Sequence, residues 1–293
     1  MDLRQAAYVV AVVDEGGFTR AAASIPISQP ALSQSIRTLE RELGVELFHR
    51  LGRDVRLTSA GEAFLGPARQ LLRDADNARA AVAEVRGLTA GHVDIVAIPT
   101  LVVEPLVDLV GAFRRLHPDI TVRIIEPEDT AAIVDLVRTG SCELGLGEAP
   151  IEHPALETDL LLRQELLAVL PPGTLLPGRR RLPAARLGDV PLIATPEGTS
   201  TRRLVTETLQ AAGVDPVIAV ESDHREAIIP LVLAGAGGSL LPEPLARQAE
   251  AQGAAVAKLD PPVKRGVVLV RRTGALSPAA RSFRDLALDR VGT

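Results

Sequence analysis

The stretch from Phe18 to Glu40, FTRAAASIPISQPALSQSIRTLE, constrains the fold most, because one helix must end and a second begin inside it. Thr19 is placed to cap a short Ala-rich helix, since a Thr hydroxyl accepts the orphan N–H groups of a first turn. Ile25-Pro26-Ile27 breaks that helix, because proline has no N–H and steers the residue before it away from helix. Ser28 caps a second helix with Pro30 in its first turn, where a missing N–H costs little. Ala31, Leu32, Ile36 and Leu39 recur near every 3.6 residues and predict one buried face. Gln29, Ser33, Gln34, Arg37 and Arg41 form the opposite, hydrogen-bonding face. Two short helices of this kind make a helix-turn-helix whose second helix suits the major groove of DNA.

The charge balance decides how such a head can bind. The net charge of −5 excludes binding to nucleic acid by bulk charge alone. Residues 1–58 carry seven arginines against seven acids, residues 59–88 four bases against four acids, and the remainder 21 against 26. DNA contact must therefore rest on where arginines stand rather than on their number. Arg50, Arg53 and Arg56 gather in ELFHRLGRDVRLT, two short extended runs about a Gly turn that read as a two-stranded wing. Arginine on such a wing can enter the minor groove or bind phosphate. Ahead of the motif, Leu3, Ala6, Ala7, Val10 and Val13 stripe one face of a helix ended by Gly16-Gly17, a support for the pair behind.

From Ser59 the pattern becomes one long helix, with Ser59 and Glu62 as a capping box and Gly87 as its stop. Phe64, Ala68, Leu71, Ala75, Ala78, Val82 and Val85 alternate spacings of four and three, a heptad seam suited to a second copy of the chain. Its roughly 29 residues would span about 43 Å. Pro67 falls near its start.

Beyond residue 88 strands and helices alternate, which predicts mainly parallel sheets covered on both faces. HVDIVAIPT, ITVRIIEP and CELGLGE read as strands of a first unit, LLRQELLAVLPPG crosses to a second, and KRGVVLVRR returns. Two halves crossed twice by the chain enclose a cleft. Thr100, Thr130, Thr199, Ser200 and Thr201 stand at helix starts beyond strand ends, where free N–H groups and the positive dipole end favour an anion. Arg202 and His224 are further candidates. A small organic anion, such as a carboxylate metabolite, is the expected ligand. The alternative role for each hydroxyl is to cap its own helix.

No run reaches about 18 apolar residues and the N-terminus lacks a leader pattern, so a cytoplasmic protein without membrane partner is expected. The single Cys142 excludes an internal disulfide and a cysteine-built zinc site and reads as a buried small hydrophobe. HExxH, P-loop and nucleophile-elbow motifs are absent, and GAGG at 235–238 lacks a dinucleotide setting. No catalytic residue, metal or cofactor is expected. A solute carrier with an idle DNA-binding head, or an enzyme on a two-lobed fold, are the other classes. The second would need an acid/base pair in the cleft, for which no compelling candidate exists.

SQPALSQSIRTLERELGVELFHR, with FTRAAA before it and VRLTSAGEAFL after it, resembles the N-terminal signature of the LysR-type transcriptional regulators. The resemblance runs the length of the chain and is specific over residues 1–65. It implies an α/β protein with a winged helix-turn-helix at 1–58, a linker and dimerisation helix at 59–88, and an effector domain at 89–293 like a type 2 periplasmic binding protein. Lobe I would comprise 89–162 and 267–293, and lobe II 163–266. Ser28, Gln29, Pro30, Ser33, Gln34, Arg37 and Arg53 are the expected contacts to operator DNA. Gln34 stands where the family often has a basic residue, and Pro26 in the turn is unusual. The implied partners are double-stranded DNA, a small-molecule effector, RNA polymerase and further copies of the chain in a homotetramer.

Overall fold

The computed structural model describes residues 1–51, 54–85, 91–127, 129–176 and 180–291. Gly52 and Arg53 of the expected wing turn, and the expected helix stop at Gly87, lie outside the described residues.

The head consists of α1 (Leu3–Asp14), α2 (Phe18–Ser24), α3 (Gln29–Leu43), β1 (Phe48–Leu51) and β2 (Asp54–Leu57). Asp2 caps α1 in a reciprocal capping box with Gln5. Helix α2 starts two residues earlier than its Thr suggests: Gly17 is the cap, no side chain bonds there, and Thr19 lies inside the first turn. The connection is too short for a Thr cap, because the Gly17 carbonyl already accepts the Ala21 N–H. Arg20 instead folds back and donates to the Glu15 and Gly16 carbonyls, closing the end of α1.

Ser28 caps α3 by accepting the Ala31 N–H at 3.4 Å, and Gly44 ends it at φ 73°, a left-handed conformation in which a side chain would be strained. Leu32, Ile36 and Leu39 are fully buried, each contributing about 1.5–3 kcal/mol of apolar burial. Ala31, expected on that face, is exposed, since the buried stripe turns instead to Glu40. With Val9, Val12, Ala21, Leu47 and Phe48 these residues form the core of the head.

Helix α4 (Ser59–Val85) leaves the head without a gap. Its cap is Thr58 rather than Ser59: the Thr58 hydroxyl accepts the Gly61 N–H at 3.0 Å and donates to the Glu46 carbonyl at 2.7 Å. A Cβ on Gly61 would lie 2.1 Å from the Leu47 carbonyl oxygen, so only glycine lets the helix start this close to the wing.

The C-terminal part contains β3 (Gly91–Ala97), α5 (Pro99–Leu101), α6 (Val107–Leu116), β4 (Ile120–Ile125), α7 (Thr130–Arg138), β5 (Leu144–Glu148) and β6 (Leu156–Leu170). It continues through β7 (Arg181–Pro183), β8 (Leu192–Ala194), α8 (Ser200–Ala211), β9 (Ile218–Glu221), α9 (Ile228–Leu233), β10 (Ser239–Pro242), α10 (Glu243–Ala251), β11 (Ala255–Arg272) and α11 (Pro278–Val291). One sheet has the order β10-β6-β11-β5-β3-β4, with β7 beside β11, and β8 pairs separately with β9.

The expectation of mainly parallel sheets fails at the centre. Strands β6 and β11 run antiparallel from Leu170↔Ala255 to Leu156↔Arg272, β10 pairs antiparallel with β6, and β5 pairs antiparallel with β11. A chain that leaves one lobe along β6 and returns along β11 must run the two in opposite directions. Parallel pairing survives between β3, β4 and β5, between β7 and β11, and between β8 and β9. One apolar core, around Val96, Phe113, Leu146, Leu269 and Phe283, fills the lobe containing β3 to β5. Two smaller cores cover the faces of the other lobe, around Leu187 and Leu240 and around Val232 and Leu241. Among the described residues no helix is long and apolar enough to cross a membrane.

Candidate functional site

On the head, Ser28, Gln29, Pro30, Gln34 and Arg37 are exposed along one side of α3, with Ser33 half-buried among them. The Gln29 amide donates to the Ser33 hydroxyl at 3.0 Å, which leaves its carbonyl oxygen free of that bond and holds the side chain along the helix. Arg41 is drawn back to Thr38 at 3.0 Å. Glu40 is buried at 7% exposure, and its carboxylate accepts the Leu47 N–H at 2.9 Å and the Phe48 N–H at 3.4 Å. It pins the end of the exposed helix to the first wing strand. Its place next to the apolar stripe was the signal for this role.

Along α4, Phe64 packs on the core of the head and Ala68 is buried at 3% exposure within the same chain. Leu71 and Val82 are 38% and 63% exposed, Ala78 is exposed and Ala75 half-buried. The seam is thus divided into an end used internally and a stretch facing out; the helix itself ends at Val85. Arg69 donates to Asp14 of the head and to the Ser141 hydroxyl of the effector domain. Arg73 donates to the Gly140 carbonyl, and burial, reinforced by Arg272, pulls its guanidinium down to about 10.

Between the lobes, Thr130 at the start of α7 and Ser200 at the start of α8 bring their hydroxyls within 3.4 Å. Two helix N-termini therefore meet across the cleft, each with its positive dipole end. Thr100 is 8% exposed and accepts from the Arg265 guanidinium at 2.9 Å. Arg265 is itself 4% exposed and donates twice to the Gln164 carbonyl oxygen, at 2.9 and 2.6 Å. These direct partners are neutral, and burial lowers the guanidinium's pKa, an effect that the charge of nearby Glu148 opposes. The Gln164 amide nitrogen is buried with no hydrogen-bond partner among the described residues.

Two chambers flank this group. One, of about 570 Å³, is lined by Thr130, Glu148, Glu152, Arg203, Lys264 and Arg265, among others. Glu148, at the carboxyl end of β5, is 8% exposed and accepts from Arg203 of the opposite lobe at 3.3 Å. Desolvation raises its carboxyl above the ordinary value, against the pull of Arg265 and Arg203. The other chamber, of about 420 Å³, is lined by Thr100, Thr195, Thr201, Arg225, Ile228 and Leu241, among others.

The expected cleft residues separate accordingly. Thr100 bonds Arg265, Thr130 meets Ser200 and lines the first chamber together with Arg265, and Thr201 faces the second chamber. Thr199 caps α8, accepting the Arg202 N–H at 3.2 Å, and its hydroxyl lies 2.6 Å from that of Thr195. Arg202 is turned to Glu221 at 3.0 Å and to the Thr195 carbonyl at 3.3 Å. His224 stands at the surface, 83% exposed, 3.8 Å from Asp223. Sequence reasoning missed Glu148, Gln164, Arg203 and Arg265. For Glu148 the end of a strand was a usable signal; for the pair Gln164 and Arg265, 101 residues apart, no local pattern exists. Among the described residues no group of three His, Cys, Asp or Glu side chains could hold a metal ion.

Residues 86–292 match the LysR substrate binding domain, and residues 3–62 match the bacterial regulatory helix-turn-helix protein of the lysR family. An uncharacterized HTH-type transcriptional regulator of Escherichia coli, YnfL, is 32% identical over 289 residues, 97% of each chain. A full-length OxyR variant from Pseudomonas aeruginosa superposes with a TM-score of 0.78 at 26% identity, covering 98% of this chain and 93% of that one. Full-length CbnR solved with its target DNA superposes with a TM-score of 0.64 at 25% identity, covering 98% and 99%. A helix-turn-helix head, a long helix and a two-lobed effector-binding domain stand in the order these relatives share, and the chain belongs to the LysR family of DNA-binding transcriptional regulators, not to a class of enzymes.

Proposed function

We propose that the protein acts in the cytoplasm as a sequence-specific operator-binding regulator controlled by a small anionic effector held between its two lobes. In this reading the domains divide at residues 58 and 88, and the lobes exchange at 162 and 266. The observation that carries the effector assignment is the buried Arg265 guanidinium, whose direct hydrogen-bond partners, Gln164 and Thr100, are neutral. A buried cation beside two facing helix N-termini favours a negative ligand. Thr130 and Ser200 would bond the same anion, and its binding would alter the lobe closure that they span. Thr201 would reach it from the second chamber, whereas Thr199 would position α8.

Operator contact is assigned to Ser28, Gln29, Pro30, Ser33, Gln34 and Arg37 on the exposed side of α3, with Arg53 at the wing. The exposed stretch of α4 from Leu71 to Val82 would pair with a second copy, and two such dimers would form a homotetramer that engages RNA polymerase from the operator. Pairing two charge-neutral heads raises affinity through effective concentration without adding charge.

Thermal unfolding of the full chain with a panel of carboxylates and their uncharged amides tests the cleft. Protection by an acid, weakened at least about tenfold in Arg265→Met, is the expected result. Protection by uncharged compounds alone overturns the assignment.

A further inference from the structure

The larger chamber is not a simple anion trap. Arg203, Lys264 and Arg265 line it together with Glu148, Glu152 and Glu207, so its formal charges cancel. They are also unevenly placed. Arg265 and Glu148 are buried at 4% and 8% exposure, whereas the Arg203 side chain is 52% exposed. Arg203 also lies 3.8 Å from Glu207 on its own helix, a second place for its charge. The inner wall therefore presents one fixed positive and one fixed negative group, the latter covered by an arginine that can leave. A monoanion placed here would satisfy Arg265 and then face the Glu148 carboxylate.

Resting on the anionic reading of the same cleft, we propose that the chamber takes an amino acid-like zwitterion. Its carboxylate meets Arg265 and the Thr130 hydroxyl at the start of α7. Its ammonium meets Glu148 and displaces Arg203 toward Glu207. At about 570 Å³ the chamber has room for an amino acid with a sizeable side chain. Such a ligand is recognised through charge separation, because neither half alone neutralises both buried groups.

The test uses thermal unfolding of the full-length protein with the twenty standard amino acids, each beside its deaminated acid and its decarboxylated amine. At least one amino acid is expected to protect at concentrations about tenfold below either truncated analogue. Arg203→Met, a change at an exposed position, is expected to strengthen that protection by freeing Glu148. Glu148→Gln is expected to abolish the advantage of the amino acid over the deaminated acid. If deaminated acids protect as well as their amino acids, the zwitterion proposal falls and the anionic reading stands. Equal protection by the amines, or no protection by any amino acid or deaminated acid, overturns both.

Discussion

The Arg265 guanidinium reaches the Thr100 hydroxyl at 2.9 Å across 165 residues of sequence, so the returning strand β11 places a buried charge against the first helical turn of the opening lobe. Thr100→Val keeps the shape and removes the acceptor. A buried charged donor then loses a partner, at a cost of about 1–3 kcal/mol. Urea unfolding should show a lower midpoint with an unchanged slope; an unaltered midpoint would mean that the bond contributes nothing.

Glu148 should give the cleft a pH signature. Burial raises its folded-state pKa above the ordinary 4.5, so the folded chain binds this proton more tightly than the unfolded chain does. Stability from this group is therefore lost as pH rises from 4.5 through the folded value. Glu148→Gln has no such loss, and its melting temperature should gain on wild type as pH increases through that window. A difference between the two that stays constant with pH would refute the assignment.

Arg69 joins the head, the long helix and the effector domain through Asp14 and Ser141. In Arg69→Ala, small-angle scattering should report a larger radius of gyration. The change in operator affinity caused by effector should shrink by about 0.5–2 kcal/mol. Unchanged coupling would show that the signal does not pass this junction.

Gln29→Ala should lower discrimination between operator and random DNA by about 1–3 kcal/mol, the value of a bidentate contact to adenine. The measurement is the ratio of the two affinities at one salt concentration, because total affinity also carries the phosphate contacts. An equal loss on both DNAs would reassign Gln29 to the backbone.

Cys142 is 1% exposed, and desolvation, aided by Asp94, pushes its thiol up to about 12. Very little thiolate exists at neutral pH, and thiolate is the reactive form. A thiol reagent should label it only after unfolding, and hydrogen peroxide should leave operator binding in gel shifts unchanged. Rapid labelling of the folded protein would contradict this.

Much of the head was legible because its signals are local. Ser28, Pro30 and the stripe Leu32, Ile36 and Leu39 act within a turn or two of where they stand, and the structure places them as read. Thr19 and Ser59 do not serve as caps, because the choice between neighbouring positions depends on tertiary fit: Gly17 closes a short connection, and Thr58 also bonds the Glu46 carbonyl. In the cleft, hydroxyls at helix starts could be located, but which of them meet could not. That depends on the register of β6 against β11, which brings Gln164 opposite Arg265. Charges neutralised at a distance, such as Arg202 by Glu221, carry no trace in a local pattern either.

Glu40 holds the end of the exposed recognition helix and the first wing strand on a single carboxylate. Helix and wing therefore behave as the two jaws of a locked caliper, whose opening cannot adjust to the DNA between them. An operator with an extra base pair inside one half-site would misfit a head that has no internal slack. One with altered spacing between half-sites could still be accommodated if the long helices pair as proposed, because that pairing would set the distance.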